Sequence, residues 1–253
     1  MAPDKQMHLF ERAQTQIKDA MAVLVKQNGG PEACHAGIVS LGDLGDYHHG
    51  PGSSPCFQRS KEWLDRFQLP VGLITGNHDL EGLEFETDED NLEAWRQTFQ
   101  QREFWRADVG AAILLGLGTT RFRDNAHCAH EVWIDDAQVQ WFREQLTDSQ
   151  DRPVIVFSHA PIMGSGLKVV HRVHVKSRCA YLNHSTDPGL FLRLVKEHPN
   201  ICLWFSGHFH LSHDYPGQYS HDWRHNICTD TGFNLFTLDH NLGRRRLDLA
   251  RDW

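Results

Sequence analysis

No apolar run in the 253-residue chain approaches the roughly 18 residues that a membrane-spanning helix needs. The first 30 residues lack a charged-then-apolar pattern, and their acidic and basic residues are mixed, so no secretory or transit leader is read there. Excess positive charge is missing too. The formal net charge is -8, which disfavours an extended nucleic-acid footprint. Paired Cys-x-x-Cys motifs are absent. The six cysteines (Cys34, Cys56, Cys128, Cys179, Cys202 and Cys228) are far apart, and a chain of this size needs no disulfide framework. We expect reduced thiols and a cytoplasmic protein. Neither an internal repeat, a low-complexity segment nor a linker divides the chain, so residues 1–253 read as one domain. What the chain has in excess is histidine, at 18 residues. That count raises the expectation of metal chemistry.

Short apolar runs alternate with amphipathic ones. Phe10, Ala13, Ile17, Met21 and Leu24 recur at helical spacing until Asn28-Gly29-Gly30-Pro31 stops them. "AGIVSLGD" is a buried strand and its exit. Ser54-Pro55 reads as the start of a helix with Phe57, Leu64 and Phe67 on its apolar face. "VGLITGNHD" repeats the strand-then-loop layout. The acidic run Glu81 to Asp90 reads as a solvated loop and helix start, ahead of Leu92, Trp95 and Phe99. "AAILLGLG", "PVIVFSHAP" and "ICLWFSGHFH" are further buried strands. Helices lie between them near Val139, Phe142 and Leu146, and near Phe191, Leu194 and Val195, the latter capped by Asp187-Pro188. The tail reads as two or three antiparallel strands. This alternation predicts an α/β fold, in which the loops after the strand carboxyl ends collect functional groups.

Four such loops carry candidate metal ligands: Gly42-Asp43-Leu44-Gly45-Asp46, Gly76-Asn77-His78-Asp79, Ser158-His159-Ala160-Pro161 and Gly207-His208-Phe209-His210. Each alone is a weak signal. Gly-Asp can be a turn, Asn-His can cap a helix, and a His-x-His pair can be two polar residues at a strand end. Together, each directly after a buried strand, they are a strong one. A carboxylate can bridge two cations, and Asp43 is the candidate for that role. Two divalent ions about 3.5–4 Å apart can activate a water and neutralise charge on a substrate's oxygens.

In these loops the chain resembles the calcineurin-like metallophosphoesterases, whose pattern is Asp-x-His, Gly-Asp-x-x-Asp, Gly-Asn-His-Asp/Glu, a lone His after a strand, and Gly-His-x-His. Four of the five elements stand here, between Gly42 and His210. The resemblance implies a four-layer αββα sandwich of two mixed sheets flanked by helices, and a two-metal site at one edge. It assigns Asn77, His159 and His208 to one ion and His210 to the other. It makes His78 the general acid or electrostatic stabiliser, with Asp46 holding its imidazole. Oxygen and nitrogen donors without thiolate suit manganese, iron or zinc. The implied activity is hydrolysis of phosphomono- or phosphodiesters of small molecules or nucleotides. The expected partner is a small phosphorylated substrate, with no extended nucleic-acid or membrane contact.

The Asp-x-His strand has no counterpart in this sequence. Asp4 and His8 have the wrong spacing and no apolar strand before them. We read the first strand as lost by truncation of a longer protein. The alternatives are a natural short form and a non-catalytic metal-binding scaffold on the same fold. Protein serine/threonine phosphatases of the superfamily carry Asp-Arg-Gly where Asp46-Tyr47-His48 stands, so that branch is disfavoured. His48 and His49 read as loop residues. The basic stretch 166–186, with His171, Arg172, His174, Lys176 and Arg178, fits either an edge strand or a substrate-facing cap.

Overall fold

A computed structural model describes residues 3–45, 52–121, 132–162, 185, 187, 189–208 and 225–228. In chain order they form α1 (Pro3–Gln27), β1 (Ile38–Ser40), α2 (Ser53–Asp65), β2 (Val71–Leu73), α3 (Asp88–Phe99), β3 (Trp105–Val109) and β4 (Ala112–Leu117). α4 (Asp136–Asp148), β5 (Val154–Ser158), α5 (Leu190–Glu197), β6 (Ile201–Ser206) and β7 (His225–Cys228) follow. No helix among these residues is long and apolar enough to cross a membrane.

The strands form two sheets. β1 and β2 pair in parallel, and the larger sheet runs β3-β4-β5-β6-β7. Within it β3 is antiparallel to β4, and the other neighbours are parallel. Side-chain alternation sorts this sheet into two faces. Ile113, Leu115, Leu117, Val154 and Val156 pack against Phe142 and Leu146 of α4 and Phe191 and Leu194 of α5. Ala112, Ile155, Leu203 and Phe205 face the other way and meet Leu41 beyond β1. A register shift between Val154 and Ile155 resets the pairing with β6, so Ile201 and Trp204 share the helix side. The small sheet turns its far face to α2 and α3, where Leu73 packs with Phe57, Leu64, Trp95 and Phe99. The order of layers is therefore α2/α3, small sheet, large sheet, α4/α5: the αββα sandwich.

The sheets are also joined by hydrogen bonds. The Thr119 amide donates to the Thr75 carbonyl at 2.9 Å, and the Trp105 indole donates to the Leu73 carbonyl at 2.8 Å. The Trp105 ring lies over Gly72 and Gly116, where a Cβ on either glycine would strike it.

Several expectations need correction. β3 is a strand that the apolar pattern does not show. α2 starts at Ser53 behind Gly52, one residue before the expected Ser54 cap, and Glu84 accepts from the Ser54 amide at 2.7 Å. α5 is capped by Gly189 rather than by Asp187. β7, the described part of the tail, extends the large sheet by pairing in parallel with β6. α1 rests lightly on the fold: Ala20 is buried, but Phe10 is 54% exposed beside Trp63. The rest of the tail, including Arg244 to Arg246, lies outside the described residues.

Candidate metal centre

The loops leaving β1, β2, β5 and β6 meet at one place. Strand parity brings the first imidazole there. Ile155 and Phe157 face the small sheet, and the alternation carried one residue past Ser158 aims His159 the same way. His159 Nδ1 lies 2.6 Å from the Leu41 carbonyl, one residue past β1. A carbonyl only accepts, so Nδ1 donates, and Nε2 is left facing the cluster. That nitrogen is 3.3 Å from Asp43 Oδ2, 3.0 Å from Asn77 Oδ1 and 3.1 Å from His208 Nδ1. Donor atoms of Asp43, His159 and His208 all lie within 4.8 Å of one another.

The orientation of Asn77 is settled by Glu81. Its Nδ2 donates to Glu81 Oε1 at 2.6 Å, which turns Oδ1 toward His159. A carboxylate oxygen, an amide oxygen and an imidazole nitrogen thus converge. Three lone pairs facing one another repel unless a cation, either a proton or a metal ion, stands among them. Separations of 3.0–3.3 Å are also the edges expected when ligands sit about 2.1 Å from a common ion. Oxygen and nitrogen donors without thiolate fit a divalent first-row metal.

Backbone geometry supports the same focus. Among the described residues, five non-glycines have positive φ. Gln68, Gln100 and Gln150 stand just past α2, α3 and α4. The other two are Asp43 (φ 60) and His208 (φ 75), both at the centre. Such conformations cost energy and persist where the surroundings enforce them. Two glycines make the approach possible. A Cβ on Gly42 would enter the backbone of Gly76, and one on Gly76 would enter the Asp43 carboxylate and the His159 ring.

Asp79 ties the two loops together. It is buried and accepts from the amides of Asp43 (2.9 Å), Leu44 (2.8 Å) and Gly76 (2.7 Å). Burial pushes its carboxyl up to about 7, and the charge of Asp43 adds to this against the pull of the amides. Burial also works against ionisation of Asp43. The charge and hydrogen bond of His159, with His78 and His208, outweigh it and hold Asp43 well below the usual carboxylate range.

His78 stands at the mouth, its side chain 24% exposed. Its amide donates to Asp43 Oδ1 at 3.0 Å, and its Nε2 is 4.0 Å from Asp43 Oδ2. Nδ1 lies 3.0 Å from Glu81 Oε2. Burial lowers its affinity for a proton, but the hydrogen bond to Glu81 and the charges of Asp43 and Glu81 prevail, leaving the pKa raised.

Of the residues singled out from sequence, Asp43, Asn77, His159 and His208 are brought together, with His78 beside them. Asp46 and His210 lie outside the described residues, as do His48, His49 and positions 166–184. Glu81 was missed. Counted with a solvated acidic run, it is in fact fully buried. The spacing Asn77-x-x-x-Glu81, one helical turn, was the signal that could have revealed it.

The chain is 26% identical over 195 residues to the glycerophosphodiester phosphodiesterase GpdQ of Enterobacter lignolyticus (strain SCF1). That match covers 74% of this chain and 60% of the relative, so it spans less than two thirds of the relative's length. The sequence profile of the calcineurin-like phosphoesterases matches residues 12–212. Since that profile takes in all four converging loops, the chain belongs to the calcineurin-like phosphoesterase family.

Proposed function

We propose that this centre holds two divalent cations and hydrolyses a phosphoester of a small molecule, with a phosphodiester the favoured substrate. The observation that carries the reading is the convergence of the Asp43, Asn77 and His159 lone pairs with His208. Family membership implies divalent metal ions, and the GpdQ relative, a glycerophosphodiester phosphodiesterase, favours the diester. When bound, such a pair supplies an activated water and neutralises charge on the phosphoryl oxygens.

The chain's own residues divide the remaining work. Asn77, His159 and His208 would hold one ion and His210 the other, with Asp43 shared between them. His78 keeps Nε2 on the open side and gives its proton to the leaving alkoxide. A positioned acid of this kind contributes about 10²–10⁴ in rate. Asp46 would share the His78 Nδ1–H with Glu81. Manganese, iron and zinc all suit the donor set. The net charge of -8 favours a compact substrate over a nucleic-acid duplex.

The test is to load the purified chain with Mn²⁺ and count bound ions. Hydrolysis of bis(p-nitrophenyl) phosphate and of p-nitrophenyl phosphate is then followed. Two ions per chain and diester turnover lost in Asp43→Asn are expected. Bound ions without turnover above that of His78→Ala would instead identify a non-catalytic metal-binding scaffold.

A further inference from the structure

Glu81 is a buried ionisable group at the centre for which the motif pattern has no role. It is fully buried, and a carboxylate in that position is costly unless its oxygens are hydrogen-bonded. Both are. Oε1 accepts from Asn77 Nδ2 at 2.6 Å, and Oε2 meets His78 Nδ1 at 3.0 Å. The chain delivers it there by a single turn. The amides of Leu80 and Glu81 donate to the Asn77 carbonyl at 3.0 and 3.1 Å, which brings position 81 back beneath positions 77 and 78. Leu80, buried against Leu92 of α3, anchors that turn. Gly82 follows with no room for a Cβ, because Ser53 Oγ occupies the space.

We propose that Glu81 is a positioning residue for both halves of the centre: one carboxylate orients the Asn77 amide toward the metal and the His78 imidazole toward the substrate. This rests on the metallophosphoesterase reading above. Holding Asn77 by its NH₂ group leaves only the carbonyl oxygen to face His159. Accepting from His78 Nδ1 fixes the ring plane and directs Nε2 outward. The two ends are coupled, because rotating the carboxylate to improve one bond lengthens the other. Partners that orient metal ligands in this way are worth about 10–100-fold in metal affinity.

The experiment uses the full chain, with Mn²⁺ as probe. Calorimetric titration should show Glu81→Gln binding Mn²⁺ about 10–100-fold more weakly than the unsubstituted chain. The glutamine keeps the shape but cannot accept from both partners. Its kcat should fall more than KM rises, since His78 loses its orientation. Glu81→Asp retains the charge without the reach and should recover neither bond in full. Unchanged Mn²⁺ affinity in a folded Glu81→Gln protein would overturn the proposal. A second measurement needs no variant. The ring-nitrogen NMR spectrum of His78 in the metal-free chain should place a proton on Nδ1. A bare Nδ1 in the neutral ring would overturn the proposal even if the variants failed to fold. Failure of the metallophosphoesterase reading looks different: the unsubstituted chain itself would bind no Mn²⁺, or would bind it and turn over no phosphoester.

Discussion

The two sheets contribute to the centre in opposite ways. Among the described residues the larger one is a platform of five strands, with Val154, Ile155 and Val156 buried along β5 and helices on its outer face. It contributes imidazoles, His159 and His208, from strand ends that the core holds rigid. The smaller one has two strands of three residues each, only partly buried. It contributes Asp43, Asn77, His78 and Glu81 from loops held by hydrogen bonds more than by apolar packing. The platform is secured by burial, and the small sheet's loops by a polar network centred on Asp79 and Glu81. A failure in one should therefore look different from a failure in the other.

Phe142→Ala is the strongest test of the platform. Phe142 is fully buried against Phe191 and Trp204, so truncation should cost about 3–5 kcal/mol of stability. Denaturant unfolding should report that loss, while the folded fraction keeps its Mn²⁺ affinity. If affinity fell in step, the separation between platform and loops would be wrong.

Asp79→Asn tests the network. An amide offers one acceptor oxygen where three backbone N–H groups now find two, and its NH₂ group must face a donor. The expected cost is about 1–3 kcal/mol, read by thermal melting, with Mn²⁺ affinity falling as well. A variant that melts lower yet binds metal as before would place Asp79 in the fold alone.

The pH dependence of the metal-free chain sharpens the contrast. The carboxyl of Asp79 sits at about 7 in the folded state, above its ordinary 3.8. The folded state therefore keeps a proton that the unfolded chain releases. The stability this provides is complete below pH 4 and is lost as pH rises toward 7. Asp79→Asn should flatten that slope, and a slope that survives the substitution would count against the assignment. The smallest effect lies on the platform's rim. Arg106 and Arg152 hold the exposed Asp108 below its usual range. Its contribution is present above the ordinary carboxylate pKa and is lost as pH falls. It should shrink with added salt. A salt-independent loss in Asp108→Asn would mean the pair is less exposed than its geometry indicates.

The parts of this molecule that were legible in sequence share a local cause. Buried strands such as Val154–Ser158 are continuous apolar runs, and the Gly-rich loops after them carry their ligands in plain sight. Features set by distant partners were not legible. β3 reads Trp-Arg-Ala-Asp-Val, and its strand character comes from pairing with β4 and from Trp105 reaching Gly72 and Gly116. Its signal was the two-residue loop Gly110-Ala111, with Gly110 at φ 56, between Val109 and its partner Ala112. The direction of β7 depends on which strand it meets. Glu81 has the composition of a solvated residue, and only the turn from Asn77 buries it.

In the proposed centre four loops place their donors around one cation. Crystals grown with Mn²⁺ and measured at the manganese absorption edge test this directly. An anomalous peak bonded to Asp43 Oδ2, Asn77 Oδ1, His159 Nε2 and His208 Nδ1 is the predicted result. A chain that binds manganese elsewhere, leaving those four atoms without a peak between them, would contradict it.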